Sequence, residues 1–152
     1  MEGVQGRWTA LSLVLDCSMT LAFLLPDERT TEAEKVLDRI VAEGAWVPSL
    51  WRLEVANSLS MAVKRGRIRP AYRDTALENL AALNIQIDGE TDKMAWAATL
   101  GLADQFALTL YDATYLELSV RRNLPLATLD SELQKAAKKL GRQILGVKEG
   151  DE

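Results

Sequence analysis

Short apolar runs recur along this chain between longer stretches of helical character, and that alternation restricts the folds open to it. Leu11 to Leu15, Ala45-Trp46-Val47, Ile85-Gln86-Ile87, Leu126 to Leu129 and Gln143 to Val147 have the length and apolar content of strands. Helical segments fill the intervals. Met19 to Leu25 is closed by Pro26, and Thr30 or Thr31 opens a helix that ends at Gly44. Ser49 and Gly66 cap Leu50 to Arg65, and Pro70 leads a helix towards Leu83. Thr91 to Leu100 stops at Gly101, and Asp112 to Arg122 follows. Ser131-Glu132-Leu133-Gln134 has the form of a capping box for a helix closed by Gly141. Strands separated by helices predict an α/β domain of three layers, α/β/α, around a mostly parallel sheet of about five strands. With 48% hydrophobic residues in 152, the chain can bury one core, so a single domain is expected, spanning about 11 to 147 before a polar tail.

Acids stand at the edges of the apolar stretches. Asp16 follows Leu13-Val14-Leu15, Glu54 lies within Trp51-Arg52-Leu53-Glu54-Val55, Asp112 within Leu110-Tyr111-Asp112-Ala113, and Asp130 follows Leu126-Ala127-Thr128-Leu129. Open parallel sheets place their chemistry beyond the carboxyl ends of the strands, so carboxylates there converge on one edge. Ser18 can cap the helix after Asp16, and Ser131 the helix after Asp130, which would leave both aspartates free. Asp112 could cap the helix it begins. On a helical wheel Glu54 shares a polar arc with Asn57, Ser58 and Arg65, which could face water or a cleft. Asp88-Gly89 has the form of a turn.

Composition removes several chemistries. The chain has no histidine, which excludes imidazole acid–base catalysis, His-activated nucleophiles and imidazole metal sites. Its one cysteine, Cys17, excludes an intramolecular disulfide. Any metal must then be held by oxygen, which suits Mg²⁺ or Mn²⁺. The net charge of −4 contains 22 acidic and 18 basic residues, and the basic ones cluster. Arg65, Arg67, Arg69 and Arg73 form one group and Arg121-Arg122 another; both are candidate phosphate contacts, or else solvated helix ends. The most apolar stretch, Ala10 to Leu25, carries Asp16 near its middle, so no membrane span or signal peptide is expected and a cytoplasmic location follows.

The segments Leu13-Val14-Leu15-Asp16-Cys17-Ser18, Val47-Pro48-Ser49-Leu50 with Glu54-Val55-Ala56-Asn57, Tyr111-Asp112-Ala113-Thr114-Tyr115-Leu116 and Leu126-Ala127-Thr128-Leu129-Asp130, in this order and spacing, resemble the PIN-domain proteins of the VapC toxin type. The resemblance implies metal-dependent cleavage of single-stranded RNA. It places the four acidic positions of the family on Asp16, Glu54, Asp112 and Asp130, with Ser18, Thr128 and Asn57 in support. It also implies a cognate antitoxin protein as partner and a homodimer. Cys17 stands where a small residue usually follows the first aspartate, a mild departure.

Carboxylates gathered at one point need a cation: two unit charges about 4 Å apart repel by roughly 4 kcal/mol at an effective dielectric near 20. Asp16 and Asp112 are expected to bind the principal ion, with Glu54 and Asp130 completing the shell or positioning water. Water as the nucleophile would leave 5′-phosphate and 3′-hydroxyl ends. Two rival readings are a non-catalytic RNA-binding or scaffolding module on the same fold, and a receiver-like signalling domain with Asp88 as phosphate acceptor.

Overall fold

A computed structural model describes residues 12–148, in which five parallel strands form a single sheet in the order β3-β2-β1-β4-β5. The strands are β1 (Val14–Leu15), β2 (Ala45–Val47), β3 (Ile85–Ile87), β4 (Leu126–Ala127) and β5 (Ile144–Leu145). Helices α1 (Cys17–Leu24) and α2 (Thr31–Glu43) join β1 to β2, and α3 (Trp51–Lys64) and α4 (Pro70–Ala81) join β2 to β3. The chain then returns across the sheet through α5 (Thr91–Met94), α6 (Leu100–Phe106) and α7 (Leu110–Arg122) to β4, and α8 (Ser131–Lys139) leads to β5.

β1 is central, with β2 on one side and β4 on the other; Val14 is in register with both Trp46 and Leu126. The connection after β1 leads to one flank of the sheet and the connection after β4 to the other. The cleft between their carboxyl ends is therefore the topological switch point, where open α/β sheets bind ligands. Leu13, Val14, Leu15, Leu126 and Ala127 are all completely buried, as strands covered by helices on both faces must be.

The ladder extends past the formal strand ends. Trp46 N donates to Leu13 O at 2.9 Å, and Asp16 N donates to Ala127 O at 3.2 Å. That last bond holds the Asp16 backbone to β4. Leu11 and the Trp8 region lie outside the described residues.

The structure departs from expectation at several helix boundaries. Asp16, rather than Ser18, caps α1: its Oδ1 accepts from Met19 N at 2.9 Å. Asp130, rather than Ser131, caps α8 by accepting from Leu133 N at 2.8 Å. Ser49 caps nothing; α3 begins without a side-chain cap, and Ser49 N instead donates to Thr91 Oγ1 at 2.9 Å. The helix expected to stop at Gly101 passes through a wide turn at Ala95–Thr99, with Ala97 at φ −118°, ψ −106°, and continues to Phe106. Gly101 stays helical because its exposed site imposes no left-handed turn; the reversal falls at Ala107, φ 53°.

Candidate active site

Four segments meet at the switch point. Asp16 leaves β1 and Asp130 follows β4, while Asp112 stands in the first turn of α7, a helix packed across β1 and β4. Glu54 comes from the first turn of α3. Asp16 is 4% exposed, and Glu54, Asp112 and Asp130 are half-buried.

Asp16 is held on every side by neutral donors. Ser18 Oγ lies 2.8 Å from Oδ1 and 2.9 Å from Oδ2, and Thr128 Oγ1 donates to Oδ2 in a very short bond. Thr128 in turn accepts from Asp130 N at 3.0 Å, and Ser18 Oγ accepts from Leu129 N at 2.9 Å. Ser18 and Thr128 thus stitch the end of β1 to the end of β4 across the cleft. Burial pushes the Asp16 carboxyl up to about 6 despite these bonds, and Asp112 adds a smaller push.

Burial also raises Glu54 and Asp112 above the ordinary carboxylate range. Asp112 adds to the rise at Glu54, and Asp130 adds to it at Asp112. The chain of mutual repulsion therefore runs through all four acids. Among the described residues no lysine or arginine forms an ion pair with any of them.

Sequence reasoning had no place for Tyr115. It is 1% exposed, and its hydroxyl donates to Glu54 Oε1 in a very short bond. The available signal was its spacing: Tyr115 stands one helical turn after Asp112, and a buried phenol needs a polar partner. The arc that carries Glu54 divides, with Ser58 Oγ 3.7 Å from Cys17 Sγ and with Asn57 and Arg65 exposed. Burial pushes the Cys17 thiol up to about 12, so it is a poor nucleophile.

The basic groups need correction. Arg121 and Arg122 are not free for phosphate: both reach Asp88, at 2.6 and 2.9 Å, and Arg121 also pairs with Glu117 at 2.7 Å. Arg122 stacks on Trp46, 3.5 Å from the ring centroid. Arg67 is bound to Asp27 and Glu28 at 2.8 Å each, and Arg73 to Asp74 at 2.9 Å. Arg65 and Arg69 are exposed and outside these ion pairs. Asp88 opens the expected turn, accepting from Glu90 N at 3.1 Å, but its side chain is fully buried between two guanidiniums and is no phosphate acceptor, which removes the receiver-like reading.

The donor set suits a hard cation in kind: four carboxylates, two hydroxyls and no soft ligand. It is not a closed cage. Among the described residues no group of three or more acidic or cysteine side chains is set closely enough to hold an ion. The expectation that the four carboxylates meet in one tight pocket is corrected to a looser ring. Mg²⁺ commonly keeps several waters and takes only one or two carboxylates directly, so a looser ring is compatible with it.

A five-stranded parallel sheet with acids around its central switch point defines a class of α/β domain. The PIN domain profile matches residues 13–139, and the chain belongs to the PIN-domain family, of the VapC type. It is 33% identical over 127 residues to "Ribonuclease VapC3" of Pyrobaculum aerophilum, a match that covers 81% of this chain and 92% of that protein. Its fold is similar to the crystal structure of PAE2754 from Pyrobaculum aerophilum, with a TM-score of 0.66 and 24% identity, covering 89% of this chain and 84% of the other. FitAcB from Neisseria gonorrhoeae is similar at a TM-score of 0.60 and 15% identity, covering 87% and 95%.

Proposed function

We propose that this chain is a metal-dependent endoribonuclease that cuts single-stranded RNA, and that it acts as the toxin of a toxin–antitoxin pair. The observation that carries the reading is the unpaired acid ring at the switch point, centred on buried Asp16 and electrostatically linked to Asp112, Glu54 and Asp130. The similarity to a protein named a ribonuclease supports it.

Asp16 and Asp112 would hold a Mg²⁺ or Mn²⁺ ion, with Asp130 and Glu54 completing the shell through water. Such an ion supplies an activated water and charge neutralisation at the phosphate. Ser18, Thr128 and Met19 N fix the direction of the Asp16 carboxylate, so its oxygens need not reorganise during the reaction. Glu54 and Asp130 would orient the water opposite the leaving 3′-oxygen, which gives 5′-phosphate and 3′-hydroxyl products. Arg65 and Arg69 remain as phosphate contacts. Arg67, Arg73, Arg121 and Arg122 are already held in ion pairs.

An antitoxin that covers the acid ring with a basic side chain is the expected partner, and a homodimer in the cytoplasm the expected state. No described helix is long and apolar enough to cross a membrane.

The open spacing of the carboxylates favours one second reading, a non-catalytic RNA-binding module on the same fold. Cleavage of a labelled single-stranded RNA, with Mg²⁺ or Mn²⁺ and with a chelator, separates the two. The expected result is cutting that the chelator stops and that Asp16→Asn or Asp112→Asn lowers at least 100-fold with the fold retained, as loss of a directly coordinating carboxylate should. Full cleavage by either variant would end the nuclease assignment of these residues.

A further inference from the structure

Tyr115 belongs to no part of the machinery just described, yet its hydroxyl is the only protein group among the described residues that bonds the Glu54 carboxylate. The ring is locked in the core at 1% exposure, on α7, whose first turn carries Asp112. Glu54 comes from α3, sixty-one residues earlier. A carboxylate has two oxygens, and this phenol occupies Oε1. Oε2 accepts no hydrogen bond from the described residues. A half-buried glutamate on a helix would otherwise sample several rotamers, each with a different oxygen towards the ring of acids.

We propose that Tyr115 is a positioning residue: by holding Oε1 it fixes Glu54 so that this side chain meets the ion or its water through one oxygen only. Tyr115 also ties α3 to α7, so the Glu54 oxygen is set in position relative to Asp112 by a rigid core side chain. This rests on the nuclease reading above and assigns Glu54's share of it. Hydrogen-bond partners of metal-binding carboxylates typically contribute 10–100-fold to metal affinity or activity.

The test uses the full chain and two readouts, Mn²⁺ affinity from the EPR signal of free Mn²⁺ and kcat on a single-stranded RNA. Tyr115→Phe keeps the ring in the core and removes the donor. It is expected to weaken Mn²⁺ binding about 10-fold and to lower kcat by a similar factor, with KM for RNA little changed. In a Glu54→Gln background the same change should cost less than about 2-fold, because the two residues act as one unit. Replacing Tyr115 by p-aminophenylalanine, which keeps a para donor, should restore affinity to within a few-fold. That variant against wild type also serves if Tyr115→Phe does not fold. Wild-type affinity and kcat in Tyr115→Phe, or equal losses with and without Glu54, would overturn the positioning role while leaving the nuclease reading intact. A wild-type chain that neither binds Mn²⁺ nor cuts RNA would overturn both.

Discussion

At the scale of single residues, the burial of Asp16 is the most consequential finding, and it has a measurable cost. Its carboxyl is raised from 3.8 to about 6, so between those values the folded chain holds a proton that the unfolded chain has released. Stability from this group is fully present below pH 3.8 and is lost as pH rises through 6. At about 1.4 kcal/mol per pH unit the loss is about 3 kcal/mol, and Glu54 and Asp112, raised in the same direction, add to it. Asp88 works in the opposite sense. Burial opposes its charge, but Arg121 and Arg122 hold it below the usual range, so its contribution fails only further into acid. Metal-free protein should therefore melt at lower temperature at pH 7.5 than at pH 5, and Asp16→Asn should flatten that slope, as thermal melts across the range would show. A wild-type slope kept by the variant would locate the cost elsewhere. Asp16, Asp88 and Asp130 all follow apolar strand segments in the sequence, where Asp88 reads as a turn. What separates them is which side chains the fold delivers: hydroxyls to Asp16, guanidiniums to Asp88. Partners more than thirty residues away in the chain leave no local signal.

At the scale of elements, most helices were legible because their signals are local. Thr30 caps α2 by accepting from Ala33 N at 3.1 Å, and Gly44 ends it at φ 76°, as the pattern of residues suggests. The caps of α1 and α8 were assigned one or two residues late because serine and aspartate are equally good caps, and only the backbone direction leaving the sheet decides between them. That choice matters for the site, since Asp16 and Asp130 each spend Oδ1 on the cap and keep Oδ2 for other partners. The break at Ala95–Thr99 and the end of α6 had no signal at all, because alanine carries no turn preference. Ala107 adopts φ 53° at an exposed position, where a β-carbon is strained by about 1 kcal/mol. Ala107→Gly should raise stability by up to about 0.5 kcal/mol and Tm by roughly 1–2 °C, after the entropic cost of glycine. Differential scanning calorimetry would check it, and a lower Tm would mean that the Ala107 methyl packs more favourably than its exposure indicates.

At the scale of the whole molecule, alternation of strands and helices was enough for the layered parallel sheet. The strand order is a different matter, since it depends on the long return through α5, α6 and α7 that seats β4 beside β1. That return creates the switch point and brings Asp112 and Asp130 to Asp16, so the fold and the candidate site are one topological event. The sequence could mark the acids but not their spacing, because the burial of each carboxylate and the bond from Tyr115 to Glu54 are properties of the assembled cleft. A cation that bridges β1, α7 and β4 would bind the native arrangement and not the unfolded chain, so it should stabilise the molecule as a unit. At a hundred times its dissociation constant the gain is about 2.7 kcal/mol. Mn²⁺ should accordingly raise Tm by roughly 5–10 °C at pH 7.5. The rise should be much smaller at pH 5, where the proton on Asp16 competes with the ion, and absent in Asp16→Asn at either pH. An equal rise at both pH values, or one kept by Asp16→Asn, would place the ion away from the switch point and detach the acid ring from metal chemistry.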